Sequence, residues 1–241
     1  MSLILGGWSV ATYGGFVDPL FVPSPSAIVA AIGEMHQQGT LFTDIWVSTY
    51  VVVTGFVIAA AVAIPIGILM GTFASIEAAL EPPVGFIRYL PVTALVPLFI
   101  LLIGIGDVSK ISIIFYGTFF QLVLMVADVA AMVKKEMLHT AYTLGIRKRQ
   151  VVRKVLLPAT MPGIVDNLRI TMGWAWTYLV VAELLAANSG LGYMILQSLR
   201  GLRTDRIYAG ILLIGLLGII FDRIFRILHS SLFPWSERAG G

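Results

Sequence analysis

Apolar residues run through this chain in stretches of membrane-spanning length, separated by short polar punctuation. Residues 1–16 are apolar but Gly-rich, and fall short of the roughly 20 residues a spanning helix needs. A short or partial first span is the expectation there. Residues 17–44 are mixed; Ser24-Pro25 reads as an N-cap with proline at the first helical position, predicting an interfacial helix over 26–35. The first clear span covers 45–73. It contains Pro65, which should kink it, and Gly67 and Gly71, which permit close helix approach. A polar connection over 74–88 ends on Arg88. The next apolar run, 86–104, carries Pro91 and Pro97 and is expected to be broken. Broken helices at membrane depth line protein interiors or watery paths, so Pro91 and Pro97 mark a candidate wall of a pathway. Further spans are expected over 111–131, 164–187 and 207–227. Between the last two, Ser189-Gly190-Leu191-Gly192 opens a helix-like segment. The pattern is that of an all-α polytopic membrane protein, one domain over 1–241, with five clear transmembrane helices and no internal repeat of 20 to 50 residues.

Composition sharpens this picture. Only 12% of residues are charged, against about 25% in soluble globular domains. Seven of the 16 Lys and Arg fall in one block, as Lys134, Lys135, Arg147, Lys148, Arg149, Arg153 and Lys154. A basic loop between two spans is held on the cytoplasmic side, so the sequence pI of about 9.3 reflects topology and gives no reason to expect nucleic acid. The chain has no cysteine, so disulfides and thiolate metal sites are excluded. No basic stretch precedes the first apolar run, and no secretory signal is expected.

The basic block is patterned as well as charged. Met137, Leu138, Ala141 and Leu144 fall at helical spacing over 136–144, and Gly145 follows as a stop. Pro158 and Pro162 are expected to break the chain before the next span. A solvated loop accounts for the charge, but the helix, glycine and Leu-Pro punctuation point to a docked segment.

At these residues the chain resembles a known family. His139-Thr140-Ala141, three residues, Gly145, nine residues, then Val155, Leu157 and Pro158 is similar to the EAA loop of ABC importer membrane subunits. His139 stands where Glu is usual and Thr140 where Ala is usual. The resemblance implies that His139, Thr140, Ala141, Leu144, Gly145, Val155, Leu157 and Pro158 belong to a coupling segment seated on a cytoplasmic ATPase. Pro162-Gly163-Ile164, Leu168-Arg169, Trp176, Ala182-Glu183 and Gly190-Leu191-Gly192-Tyr193 resemble the branch that imports nitrate, bicarbonate, taurine and other sulfonates. The likeness extends over 21–235. It implies a type I ABC importer fold in a prokaryotic cell membrane and a second copy facing the first across a central path. It also implies a small anionic substrate delivered by an extracytoplasmic binding protein. ATP and magnesium would sit on the partner subunit, with no cofactor in this chain.

Polar residues inside apolar runs supply the remaining candidates, because they are costly in lipid and face protein or water. Gln121 lies near the middle of its run and Glu183 near the outer end of its own; both are pathway or gate candidates, with interhelical hydrogen bonding as the alternative. Trp176 joins them within a dense aromatic group that is mostly packing. Arg200, Arg203 and Arg206 lie in a segment expected outside, against the positive-inside trend, which suggests docking of an acidic surface, attraction of an anion or headgroup contact. No phosphate-cradling GxxxxGK[ST] occurs, and His36, His139 and His229 lack metal-ligand spacing. An ion-gradient-driven secondary transporter is the alternative. It predicts inverted repeats and several midplane carboxylates, and only Gln121 and Glu183 come near that requirement.

Overall fold

The computed structural model describes residues 2–133, 137, 140, 141, 143, 145 and 147–235. Among them every regular element is helical. In chain order these are α1 (Ser2–Tyr13), α2 (Pro25–Gln37), α3 (Thr40–Thr72), α4 (Ala74–Arg88), α5 (Val92–Ile103), α6 (Asp107–Ala131), α7 (Lys148–Val151), a π-helical turn (Val152–Leu156), α8 (Leu157–Ala186), α9 (Leu191–Arg200) and α10 (Thr204–Leu232). By length and composition α3 and α6 can each cross a membrane, and two bent pairs raise that number to as many as four. One pair is α4 with α5, bent by 91°. The other is Val152–Ala186 with α9, bent by 52°.

The first bend falls at Pro91, where the apolar run over 86–104 was expected to be broken. The helix stops at Arg88 and restarts at Val92, with Pro91 as N-cap. Proline disfavours helical geometry in the residue before it, which explains a break at Leu90-Pro91. Pro97, in contrast, lies inside α5 and does not break it. With 12 residues, α5 is about 18 Å long and too short to cross a bilayer alone.

A second departure lies at Leu157-Pro158, where a broken chain was expected. Helix continues through both prolines, and the π-turn absorbs the conflict. Pro158 has no N–H, and its ring crowds the carbonyl of Lys154 four residues earlier. The turn ahead of it widens, so that the Leu157 N–H donates to Val152, five residues back.

The core is centred on α3 against α6. A Cβ added at Gly67 would lie 2.6 Å from the Val123 carbonyl oxygen, and one at Gly71 only 2.2 Å from that of Ala127. The two backbones touch where lipid supplies no hydrophobic drive, so van der Waals packing does the work. Ala63, Val123 and Val126 are buried in the same cluster. Helix α8 packs on the other side of α6. Gly117 makes room for the Tyr178 ring, and Asn167 Nδ2 donates to the Met125 carbonyl at 2.8 Å. Helix α10 closes the bundle through Phe221 on Trp176, Phe225 on Phe56 and an Arg169–Asp222 ion pair of 2.8 Å. The short α2 forms as its cap predicts, with Ser24 Oγ accepting from the Ala27 N–H.

Gly71→Leu is expected to destabilise the bundle by about 1–3 kcal/mol, since the added side chain meets backbone and cannot be displaced. Gly215→Leu, on a helix face with nothing within 4 Å, should leave stability unchanged. Thermal unfolding of the two variants in detergent checks the contrast.

Candidate functional site

In the basic segment, Met137, Thr140, Ala141 and Thr143 are helical, and Ala141 is buried. Gly145 follows with φ +77°, the left-handed conformation that ends helices. His139 and Leu144 lie outside the described residues. Further along, Val155 and Leu157 are half-buried and Pro158 is exposed. Val155, Pro158, Met137 and Trp235 line one shallow cavity of about 550 Å³. The described parts of the segment therefore present apolar and basic groups side by side at one end of the bundle.

At the opposite end Glu183 is fully buried. Ser48 Oγ lies 2.8 Å from its Oε1 and 2.9 Å from its Oε2, and the Gly192 N–H donates to Oε2 at 2.8 Å. The Leu191 N–H donates to Ser48 Oγ at 2.9 Å, and the Gly190 N–H to Asp44 Oδ1 at 3.0 Å. Three successive N–H groups at the start of α9 thus find acceptors on α3 and α8. Helix N-termini carry such unpaired donors and favour an anion. Gly190 has φ +112°, and a Cβ there would fall 2.1 Å from Glu183 Oε1. A Cβ at Gly192 would lie 2.7 Å from that of Glu183. The Gly190-Leu191-Gly192 sequence is therefore the negative image of the glutamate. Of the alternatives raised by the sequence, Glu183 takes the interhelical one. Ser48 and Asp44, which complete the arrangement, had no signal beyond being small and polar at the start of a span.

Trp176, singled out as a pathway candidate, is buried among Phe56, Ile114, Met172 and Leu179 and belongs to the core. Its neighbour Trp174 is the one that reaches open space. With Arg88, Val92, Tyr116, Gly117, Phe120, Gln121 and Tyr178 it lines a cavity of about 200 Å³ beside the α4–α5 bend. Gln121 Oε1 accepts from an Arg88 guanidinium nitrogen at 3.3 Å, and a second Arg88 nitrogen donates to Tyr89 Oη at 3.0 Å. Pro91 lies at that bend and Pro97 on the exposed side of α5. Gln121, a pathway or interhelical candidate by sequence, thus bonds to Arg88, which the sequence marked only as the edge of a span.

The three arginines near α9 do not act alike. Arg203 pairs with Glu34 at 2.8 Å and Asp205 at 2.7 Å, and Arg206 with Glu34 at 3.2 Å. Hydrogen bonds from Arg203 first, and from Arg206 next, hold the Glu34 carboxyl below its usual range. Two of the expected outer cations are thus partly neutralised by α2 and by the start of α10. Arg200 is exposed.

Long apolar helices fastened by buried polar staples, with a basic, partly helical segment at one end, are the build of a polytopic membrane protein. The chain belongs to the family of binding-protein-dependent transport system inner membrane components, the permease subunits of ABC importers, whose family model matches residues 63–233. It is 34% identical to a protein named as an aliphatic sulfonates transport permease, SsuC, of Bacillus subtilis, over 100% of this chain and 87% of that one. It is 32% identical to the taurine transport system permease protein TauC of Escherichia coli, over 95% of this chain and 84% of that one. Its fold is similar to that of a chain in the MetNI methionine ABC transporter in an inward-facing conformation. The TM-score is 0.65 at 21% identity, over 78% of this chain and 95% of that one.

Glu183→Ala would leave the Ser48 hydroxyl and the Gly192 N–H without their buried acceptor, at about 1–3 kcal/mol for each group. The variant should melt well below the parent in detergent, and Gly190→Ala should do the same through its clash. An unchanged melting temperature for both would contradict the structural role of this carboxylate.

Proposed function

We propose that this chain forms the translocation path of an ATP-driven importer for small sulfonates or chemically related oxyanions, working as two copies in a prokaryotic inner membrane. The similarity to permeases named for aliphatic sulfonates and taurine, running over nearly the whole chain, carries the reading. In this reading α3, α6, α8 and α10 cross the bilayer, and the bent α4–α5 pair provides the fifth crossing. The segment 134–163 lies in the cytoplasm, and α2 and α9 lie at the outer surface, where a binding protein delivers the substrate.

Nucleotide chemistry is assigned to a separate ATPase subunit that holds ATP and magnesium. The segment around Thr140, Ala141 and Gly145 rests on that subunit, with His139, Leu144, Val155, Leu157 and Pro158 completing the contact. For ATP to drive transport, the ATP-bound ATPase must dock more tightly to one state of the permease than to the other. The ion-gradient alternative draws no support from Glu183, whose oxygens are occupied within the fold.

Gly145→Pro tests the lever. Proline fixes φ near −65°, whereas Gly145 has φ +77°. The variant should insert in the membrane normally, yet lose substrate uptake while the ATPase still turns over. Uptake at the parental rate, measured beside ATP hydrolysis in the same vesicles, would remove the coupling assignment.

A further inference from the structure

Resting on the anion-importer reading, we propose that Arg88, set by Gln121 and Tyr89, is an anion contact within the pathway that engages the sulfonate group of a substrate as it passes. Gln121 stands 14 residues from the start of α6 and 10 from its end. That is about 21 Å from one terminus and 15 Å from the other. A guanidinium hydrogen-bonded to it sits at the depth of the bilayer centre, where cations are rare and mark functional sites.

The charge has no counter-ion among the described residues. Arg169, Arg203, Arg206 and Arg226 each face a carboxylate. Among the described residues none is in ion-pair contact with Arg88. A guanidinium carries five N–H donors, and the contacts to Gln121 and Tyr89 occupy two of them. The Tyr89 ring lies under the guanidinium carbon at 4.7 Å, which orients its plane. The bend itself is pinned, since Tyr116 Oη donates to the Ile87 carbonyl at 3.1 Å. Arg88 is thus a positioned cation with donors to spare, which suits the planar recognition of an oxyanion.

The surrounding cavity fits the rest of such a molecule. Its 200 Å³ equals the room of about seven waters, comparable to a sulfonate with a two-carbon tail. Trp174, Tyr178 and Phe120 offer faces for that tail, and Trp174 remains 37% exposed, so the site is open on one side. One cation in an open pocket makes a weak site, and a transit site must release what it binds.

The absence of cysteine permits a direct test. Trp174→Cys is introduced in the complete transporter, and its labelling rate is measured with two methanethiosulfonates, one bearing a sulfonatoethyl and one a trimethylammonioethyl group. The anionic reagent should react faster. Adding Arg88→Gln should lower the anionic-to-cationic rate ratio about tenfold, the loss expected for one charged hydrogen-bond donor. Arg88→Lys should restore part of it. The same ratio with and without Arg88 would overturn the proposal. In parallel, Arg88→Gln in the transporter that keeps Trp174 should cut vesicle uptake of labelled taurine at least tenfold. Parental uptake by that variant overturns this proposal alone. A parent transporter that carries a cation but no small oxyanion overturns both the proposal and the reading beneath it.

Discussion

Glu183 is sealed from solvent, so its carboxylate can be satisfied only by groups of the chain itself. It meets that demand with the Ser48 hydroxyl of α3 and the Gly192 N–H of α9, and so joins three elements at one end of the bundle. The arrangement works because of what is missing around it. Side chains at 190 and 192 would occupy the space the carboxylate needs. Once α9 is fixed, its end at Arg200 places Arg203 in the following turn and Arg206 in the first turn of α10 against Glu34 of α2. The end of the bundle that holds α2, α9 and the start of α10 is therefore built on this one buried acid.

The interior follows a different rule. Between α3 and α6 no polar group is needed, because Gly67 and Gly71 bring the backbones into contact. Between α6 and α8, the Asn167 amide on the Met125 carbonyl and the Tyr178 ring over Gly117 hold the register. The remaining side of α6 meets α4 and α5, through Tyr116 on the Ile87 carbonyl and on the Phe99 ring, and Gln121 faces the α4–α5 bend there.

What was legible in the sequence was local or compositional. The Ser24-Pro25 cap, the close-packing glycines and the stop at Gly145 each follow from a few adjacent residues, and the family motif supplied the mechanism class. What was not legible depended on partners far along the chain. Ser48 and Glu183 are 135 residues apart, and Arg203 and Glu34 are 169 apart. Trp174 and Trp176 look equivalent in sequence, but two steps along a helix turn about 200°, and packing alone decides which faces the core. Proline misled three times. Pro97, Pro158 and Pro162 were all expected to break the chain, yet α5 runs through the first, a π-turn accommodates the second and α8 runs through the third.

The central claim is that ATP, and not an ion gradient, drives this permease. The complete transporter in sealed vesicles, with its binding protein on one side and Mg-ATP on the side of the basic segment, measures this most directly. Labelled sulfonate should accumulate only when both are present, and should continue to do so after ionophores collapse every ion gradient. Uptake that ignores ATP and stops with the ionophores would contradict the account.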